Sequence, residues 1–96
     1  MRYKIIVTLA ARENTLSAFI YYQNVRQGLG DDFLEDLEER YLEICENPYA
    51  FSYTDARCTL RDAILNRFPY LVIFKIQSED VIVLAVHNMH KKPLSL

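Results

Sequence analysis

The chain of 96 residues has little glycine, little cysteine and no long apolar run. Only two glycines occur, whereas 51% of the residues are hydrophobic, and this composition excludes a disordered or low-complexity chain. The longest apolar runs, at 71–76 and 81–86, are too short to cross a lipid bilayer. We therefore expect a single globular domain over residues 1–96, with no membrane partner.

Cysteine is represented by Cys45 and Cys58 only, which is too few for a disulfide framework. No charged and apolar leader with a small-residue cleavage site opens the sequence, and this predicts a cytoplasmic protein. In that reducing compartment both cysteines are interpreted as small buried hydrophobic residues. His87 and His90 form a His-x-x-His pair with no cysteine or carboxylate at suitable spacing, so neither a metal nor a cofactor is predicted.

Charge is distributed unevenly along the chain, although the net charge is only −2. Residues 1–56 carry five basic and ten acidic side chains, whereas residues 57–96 carry six basic and three acidic ones. Eight of the carboxylates lie between Asp31 and Glu46. One interpretation of this run is the solvated side of a helix. The other is a polar molecule whose opposite, basic face receives an acidic partner.

The first half of the chain predicts one strand, over the apolar and β-branched residues 3–9, and two helices. A four-three-four-three spacing of apolar residues predicts the first helix, and Gly28 and Gly30 predict its end and a turn. Asp31 or Asp32 is predicted to cap the second helix. The inward stripes are Ala11, Thr15, Ala18, Tyr22 and Val25 in the first helix, and Phe33, Leu37, Tyr41 and Ile44 in the second.

The second half of the chain predicts three strands. Residues 57–65 are expected to form the first, and the apolar runs at 71–76 and 81–86 flank a polar break typical of a β-hairpin. Packing both helices on one face of this sheet gives an α+β sandwich. Leu16 and Ile20 fall outside the inward stripe of the first helix and are candidates for an apolar patch that binds a partner.

Short motifs follow one another in a fixed order along nearly the whole chain. They are Ala11, Tyr21-Tyr22, residues 28–33, residues 44–48, Arg61, residues 67–70, residues 83–87 and Pro93. In order and spacing they resemble the RelE/ParE superfamily, the toxins of bacterial type II toxin–antitoxin modules and plasmid stabilisation systems. The resemblance implies a RelE/ParE-like α+β fold with an N-terminal strand, two helices and a three-stranded antiparallel meander. It also implies a cognate antitoxin protein as partner, in an assembly that is a homodimer or a heterotetramer with the antitoxin.

The resemblance implies one of two cellular targets. Members similar to RelE enter the ribosomal A site and cleave messenger RNA, whereas members similar to ParE poison DNA gyrase. We expect a toxin that inhibits translation by ribosome-associated mRNA cleavage, as an endoribonuclease. The alternatives are a ParE-like gyrase inhibitor without nuclease activity and a non-toxic relative that still binds an antitoxin.

RNA cleavage through the ribose 2′-hydroxyl needs a base, an acid and cations that stabilise the extra negative charge. The resemblance implies Arg61 and His90 as the catalytic residues. Arg61 would supply a cation, and His90 would serve as acid or base because the ordinary pKa of histidine is ~6.5. Arg67, Lys75, His87, Lys91 and Lys92 are the predicted substrate-binding residues.

Two departures from the RelE pattern favour the alternatives to a nuclease. RelE-like nucleases carry an arginine where this chain has Leu71, and their pair of lysines on the preceding strand is not reproduced at 62–64. Structural roles are also open for two of the predicted substrate-binding residues. Arg67 is a candidate for an ion pair with Asp62 or with a helix carboxylate, and His87 for a hydrogen-bonded residue at a strand end.

Overall fold

The computed structural model describes residues 2–90 and contains the predicted strand, two helices and three further strands. Lys91, Lys92 and Pro93, to which the sequence assigned roles, lie outside the described residues. Within the described residues, no helix is long and apolar enough to span a membrane. The elements are β1 (Lys4–Val7), α1 (Leu9–Val25), α2 (Leu29–Glu46), a 3-10 turn (Pro48–Ala50), β2 (Arg61–Ile64), β3 (Tyr70–Gln77) and β4 (Asp80–Asn88).

The four strands form one mixed sheet in the order β1-β4-β3-β2. β2, β3 and β4 are antiparallel neighbours, which confirms the predicted three-stranded meander, and β1 lies parallel to β4 at the sheet edge. A two-residue turn joins β3 to β4, and Ser78 in that turn has a left-handed φ of 56°. Tight hairpin turns require such a conformation because it matches the twist of the flanking strands. The two most apolar runs of the sequence are thus the two central strands.

The junction of β1 and α1 lies beside a β-bulge in β4. The pairing of β3 with β4 shifts by one residue after Ile73, which leaves Leu84 as an additional residue in β4. Next to it, the hydroxyl of Thr8 donates to the carbonyl oxygen of Val83, 2.9 Å away. The same hydroxyl oxygen accepts a 3.3 Å hydrogen bond from the backbone N–H of Ala11 and so caps α1.

β2 is shorter than the strand predicted over 57–65, because a side chain holds the preceding segment in a turn. The carboxylate of Asp55 accepts hydrogen bonds of 2.9 Å from the backbone N–H groups of both Thr59 and Leu60. Such local side-chain bonds offer the backbone an alternative to a sheet ladder. The strand therefore begins only at Arg61.

The two cysteines have different environments. Cys45 is buried in α2, as predicted. Cys58 is exposed and has a left-handed φ of 55°, so the prediction that it is buried was wrong. It lies in the loop that Asp55 closes, and this loop covers no part of the core.

Apolar side chains of both helices and of one sheet face form a single core, as the predicted α+β sandwich requires. The predicted stripe of α2 is confirmed, with Phe33 and Ile44 fully buried. The stripe of α1 extends from Ala11 to Tyr22, whereas Val25 is the last residue of the helix and is 60% exposed. An aromatic cluster closes one end of the core, with ring centroids 4.8 to 6.1 Å apart among Tyr22, Phe33, Phe68 and Tyr70.

The two glycines do not form the predicted turn together. Gly28 has a φ of 91° and is the N-cap of α2, so neither Asp31 nor Asp32 caps this helix, as had been predicted. Both aspartates lie in its first turn, where they complement the helix dipole. Gly30 is helical, and a Cβ added to it would lie 2.8 Å from the carbonyl oxygen of Phe19 in α1. The absence of a side chain at Gly30 thus allows the two helices to approach closely.

One carboxylate of the acidic run between Asp31 and Glu46 is fully buried. The interpretation of this run as the solvated side of a helix is therefore wrong for that residue. Asp36 has 0% of its surface exposed. Its carboxylate accepts hydrogen bonds from the backbone N–H groups of Asn66 (3.3 Å) and Arg67 (2.8 Å). Buried charges persist when such bonds replace water. Asp36 therefore ties α2 to the segment that leads into β3.

We expect Gly30→Ala to lower the free energy of unfolding by about 1–3 kcal/mol, although alanine favours helices over glycine. The added methyl group would meet the backbone of Phe19, which can move only if α1 shifts relative to α2. Urea denaturation measures the change. Glu38→Ala, at an exposed position of α2, is the control and should change stability by less than about 0.5 kcal/mol. Equal stability of Gly30→Ala and the wild type would contradict the close helix contact.

Tyr41→Phe should raise the free energy of unfolding at neutral pH by about 1 kcal/mol. The buried hydroxyl of Tyr41 has no hydrogen-bond partner among residues 2–90, and desolvation raises its pKa from 10.0 to about 12. Between these two values the unfolded chain loses the phenol proton while the folded protein keeps it, so stability falls as pH rises. The variant should lose less stability over this window. Denaturation at neutral and at alkaline pH tests both effects, and a less stable variant would contradict them.

Candidate functional site

A cleft of about 720 Å³ lies between α1 and the ends of β3 and β4, and we call it the α1–β4 cleft. The cleft combines aromatic rings with short polar side chains. The residues that line it are Asn14, Ser17, Ala18, Tyr21, Tyr22, Pro69, Tyr70, Val86, His87, Asn88 and His90.

Two tyrosines of the aromatic cluster form the inner wall of the α1–β4 cleft. Burial and then the neighbouring phenol of Tyr70 raise the pKa of Tyr22 to about 12. Burial also raises the pKa of Tyr70, whose hydroxyl accepts a 3.4 Å hydrogen bond from the side-chain amide of Asn88. Both phenols are therefore neutral at physiological pH. They can donate or accept hydrogen bonds in the cleft, but neither is a ready proton acceptor for catalysis.

The outer wall of the cleft is the edge of β4. The side-chain oxygen of Asn14, an exposed residue of α1, accepts a 3.1 Å hydrogen bond from the backbone N–H of Val86. Further along, the backbone N–H of Met89 donates to the carbonyl oxygen of Pro69 at 2.8 Å. These contacts fix the position of the strand end relative to the helix.

Both histidines of the predicted site lie at this cleft. His87 pairs with Leu71 across β3 and β4, and both face away from the helices, because their neighbours Val86 and Val72 are in the core. His90 follows the strand, is exposed, and its backbone N–H donates to the side-chain oxygen of Asn88 at 2.9 Å. Residues 2–90 contain no group of three or more histidine, cysteine or acidic side chains placed to hold a metal.

Arg61 is fixed by stacking and hydrogen bonding in a second depression, of about 460 Å³, which Lys75 also lines. Its guanidinium carbon is 4.0 Å from the ring centroid of Tyr53 and 5.2 Å from that of Tyr49. One guanidinium nitrogen donates a 2.6 Å hydrogen bond to the carbonyl oxygen of Phe51. The group thereby holds the loop before β2 against the strand.

The strand registers separate Arg61 from both histidines. Arg61 pairs with Phe74, which pairs with Val83, whereas His87 lies four residues further along β4, beyond the bulge. At about 3.3 Å per residue and about 4.8 Å between strands, the separation is roughly 10 Å along the sheet and roughly 10 Å across it. Arg61 and His87 also lie on opposite faces. The two predicted catalytic residues line different depressions, Arg61 the second depression and His90 the α1–β4 cleft.

Arg67 contacts carboxylates of α2, which agrees with the helix-carboxylate interpretation and not with a pair to Asp62. Its guanidinium nitrogens lie 3.8 Å from a carboxylate oxygen of Glu35 and 4.0 Å from one of Asp36. A role in binding substrate remains a prediction for Arg67, as it does for Lys75. Lys91 and Lys92 were predicted to contribute as well, but they fall outside residues 2–90.

Asn14, Asp36 and Asn88 were not predicted as site residues. The sequence spacing of the first two nevertheless indicated where they lie on their helices. Asn14 and Asp36 each follow a residue of an inward stripe, Ala11 and Phe33, by three positions. Residues three apart lie on the same side of a helix, so this spacing places both polar side chains beside the inward stripes, where Asp36 is buried and Asn14 is exposed. The contact between Asn88 and Tyr70 depends on strand register, which no local pattern specified.

No protein-family model matches the sequence, and none of the curated proteins matches it significantly. The structure is similar to a chain of the solved structure described as "Chromosomal ParDE TA system from P. aeruginosa", with a TM-score of 0.81 and 12% sequence identity. The match covers 93% of this chain and 98% of the other. This likeness establishes the fold, and it confirms the RelE/ParE-like architecture that the sequence predicted.

Arg61→Lys should lower the free energy of unfolding by about 1–2 kcal/mol, even though the charge is kept. Lysine cannot stack a planar group between two tyrosine rings while also donating to the carbonyl of Phe51. Thermal or urea denaturation gives the value. Lys75→Gln, in the same depression, is the control and should change stability by less than about 0.5 kcal/mol. A fully stable Arg61→Lys variant would show that the stacking is not structural.

Proposed function

We propose that this chain is the toxin component of a type II toxin–antitoxin pair, and that it acts by binding a protein target, as ParE-like gyrase inhibitors do. The observation that carries the proposal is the likeness to a chain of the ParDE structure, with a TM-score of 0.81 over nearly the full length of both chains. A fold can host several functions, so the choice of target depends on the residues of this chain.

The arrangement of the predicted catalytic residues supports a protein-binding toxin over a nuclease. Arg61 is occupied by two tyrosine rings and a backbone carbonyl. It lies on the opposite face of the sheet from His87 and lines a different depression from His90. On the sheet face away from the helices, the second residue of β3, where a RelE-like nuclease would carry a cation, is Leu71. A general acid, a base and a phosphate clamp must converge within hydrogen-bond reach of one phosphate.

Exposed apolar residues on α1 support a protein partner. Leu16 and Ile20, predicted as a patch, are 58% and 49% exposed, and Leu9 is 71% exposed. Their spacings of seven and four residues align them along one side of the helix. A ridge of this kind matches the apolar side of a partner helix. We assign this ridge to contact with the antitoxin, and DNA gyrase is the proposed cellular target.

Induced expression should arrest bacterial growth, and co-expression of the protein encoded by the adjacent reading frame should reverse the arrest. His90→Gln and Lys75→Gln, which remove two predicted nuclease groups at exposed or half-buried positions, should leave the arrest unchanged. Purified protein should inhibit supercoiling by DNA gyrase and leave ribosome-bound messenger RNA intact. Growth counts, supercoiling gels and mRNA primer extension provide the three readouts.

The alternative function, ribosome-associated mRNA cleavage, predicts the opposite results for His90→Gln and for messenger RNA. Loss of arrest in His90→Gln, together with messenger cleavage by the wild type and none by the variant, would establish the nuclease and overturn the protein-binding proposal. A folded protein that neither arrests growth nor inhibits gyrase, but binds the adjacent gene product, would identify a non-toxic relative.

A further inference from the structure

β1 is an edge strand, and no strand of the described residues covers its outer side. It stands first in the order β1-β4-β3-β2 and pairs only with residues 80–83 of β4. Lys4 and Ile6 are exposed, whereas Ile5 and Val7 pack against the core. An uncovered edge strand is a template for pairing with another chain.

The backbone groups of β1 alternate between the two sides of the strand. The N–H groups of Lys4 and Thr8 both bond to the β4 side, each at 3.1 Å. The odd-numbered residues therefore direct their N–H and C=O groups to the outer side. The N–H and C=O of Ile5 and the N–H of Val7 make no hydrogen bond to another residue within 2–90.

Two contacts limit this unpaired stretch at its ends. The N–H of Tyr3 points outward and donates to the carbonyl oxygen of Cys45, 2.9 Å away. The carbonyl oxygen of Val7 accepts a 3.2 Å hydrogen bond from the guanidinium of Arg12, and a carbonyl oxygen can accept a second one. The unpaired stretch thus runs from Ile5 to Val7, and we call it the open edge.

We propose that two copies of this chain pair through the open edge, with β1 antiparallel to β1 about a two-fold axis at Ile6. In this register Ile5 of each copy exchanges both main-chain hydrogen bonds with Val7 of the other. An axis at Ile5 would instead require the N–H of Tyr3, which already bonds to Cys45. The two four-stranded sheets become one continuous sheet. Such a dimer would form whether or not the chain is a toxin.

The side chains of β1 suit a second copy in this register. Ile6 is 38% exposed and faces Ile6 of the other copy, so two apolar side chains leave water together. Lys4, the one charged residue of β1, faces Thr8. The two Lys4 residues are then about 13 Å apart along the strands, beyond the Debye length of about 8 Å in physiological salt. Like charges therefore do not oppose each other across the pair.

Charges near the two ends of the open edge are complementary under the same rotation. Arg12 lies at the Val7 end, and its guanidinium makes no ion pair within residues 2–90. At the Ile5 end carboxylates outnumber cations, with Glu46, Glu79 and Asp80 against Arg2 and Lys4. Antiparallel pairing brings the Val7 end of one copy to the Ile5 end of the other. Arg12 thus approaches an excess of negative charge.

The length of β1 sets the strength of the dimer. Strands of four residues bury less than the roughly 800 Å² per partner of a standard interface. We therefore expect monomers at about 1 µM protein and dimers at about 1 mM. Sedimentation velocity over this range measures the association.

Substitutions at Ile6 test the register, because this residue faces itself across the axis. Ile6→Lys and Ile6→Glu each bring two like charges together and should each weaken self-association by about tenfold or more. An equimolar mixture of the two variants should form heterodimers at a concentration where each alone is monomeric. Leu42→Lys, at a 51% exposed position of α2, is the control and should associate like the wild type. Thermal denaturation confirms that the variants fold.

Amide hydrogen exchange in the wild type gives a second readout that needs no substitution. The amides of Ile5 and Val7 should exchange fast in dilute protein and slowly in concentrated protein, where the open edge is paired. The amide of Ile6 bonds to β4 and should be slow at both concentrations.

Several outcomes would overturn the inference. They are a wild type that is still monomeric at about 1 mM, and Ile6 variants that associate as strongly as the wild type. A mixture of Ile6→Lys and Ile6→Glu without heterodimers would also contradict the register. Slow exchange of Ile5 and Val7 in dilute protein would show that the edge is covered within one chain. Each result leaves the proposed function intact, since growth arrest and gyrase inhibition are measured separately.

Discussion

The hydroxyl of Thr8 is the contact on which the arrangement of sheet and helices depends. It donates to the carbonyl oxygen of Val83 and accepts from the backbone N–H of Ala11. One hydroxyl group at the junction of β1 and α1 thus caps the helix and bonds the junction to β4. The bulge at Leu84 lies beside this contact and changes the course of β4 where α1 begins to run along it. Because β1 stops there, the remaining edge of β4 faces α1 and the cleft exists.

A second polar contact positions the opposite side of the same cleft. Asp36 is buried in α2 and accepts two backbone N–H groups from the segment before β3. An unpaired buried carboxylate would cost several kilocalories per mole, so these bonds fix the segment strongly relative to α2. Phe68 and Tyr70 follow directly, and they meet Tyr22 and Phe33 in the aromatic cluster. The cleft is thus supported on one side by Thr8 and on the other by Asp36.

The sequence predicted the elements of the fold better than it predicted the site. The β3–β4 hairpin followed from two apolar runs around a polar break, and the stripe of α2 followed from its helical spacing, because burial marks both patterns directly on the chain. The starts of α2 and β2 were misplaced, since each depends on one local geometry, the left-handed Gly28 and the turn at Asp55. The separation of Arg61 from His90 depends on how three strands align, and alternation alone leaves that alignment open.

The parallel pairing of β1 with β4 also has a consequence for how the protein acquires its shape. Thr8 and Val83 are 75 positions apart in the sequence. β1 therefore cannot pair with its neighbour in the sheet until β4 is present. Contacts between such distant segments slow folding, because a large loop must close before the contact is gained. The two helices and the hairpin can assemble from nearby segments, but the junction at Thr8 can form only after β4 has been synthesised. During translation the nascent chain therefore has neither the completed sheet edge nor the cleft beside it.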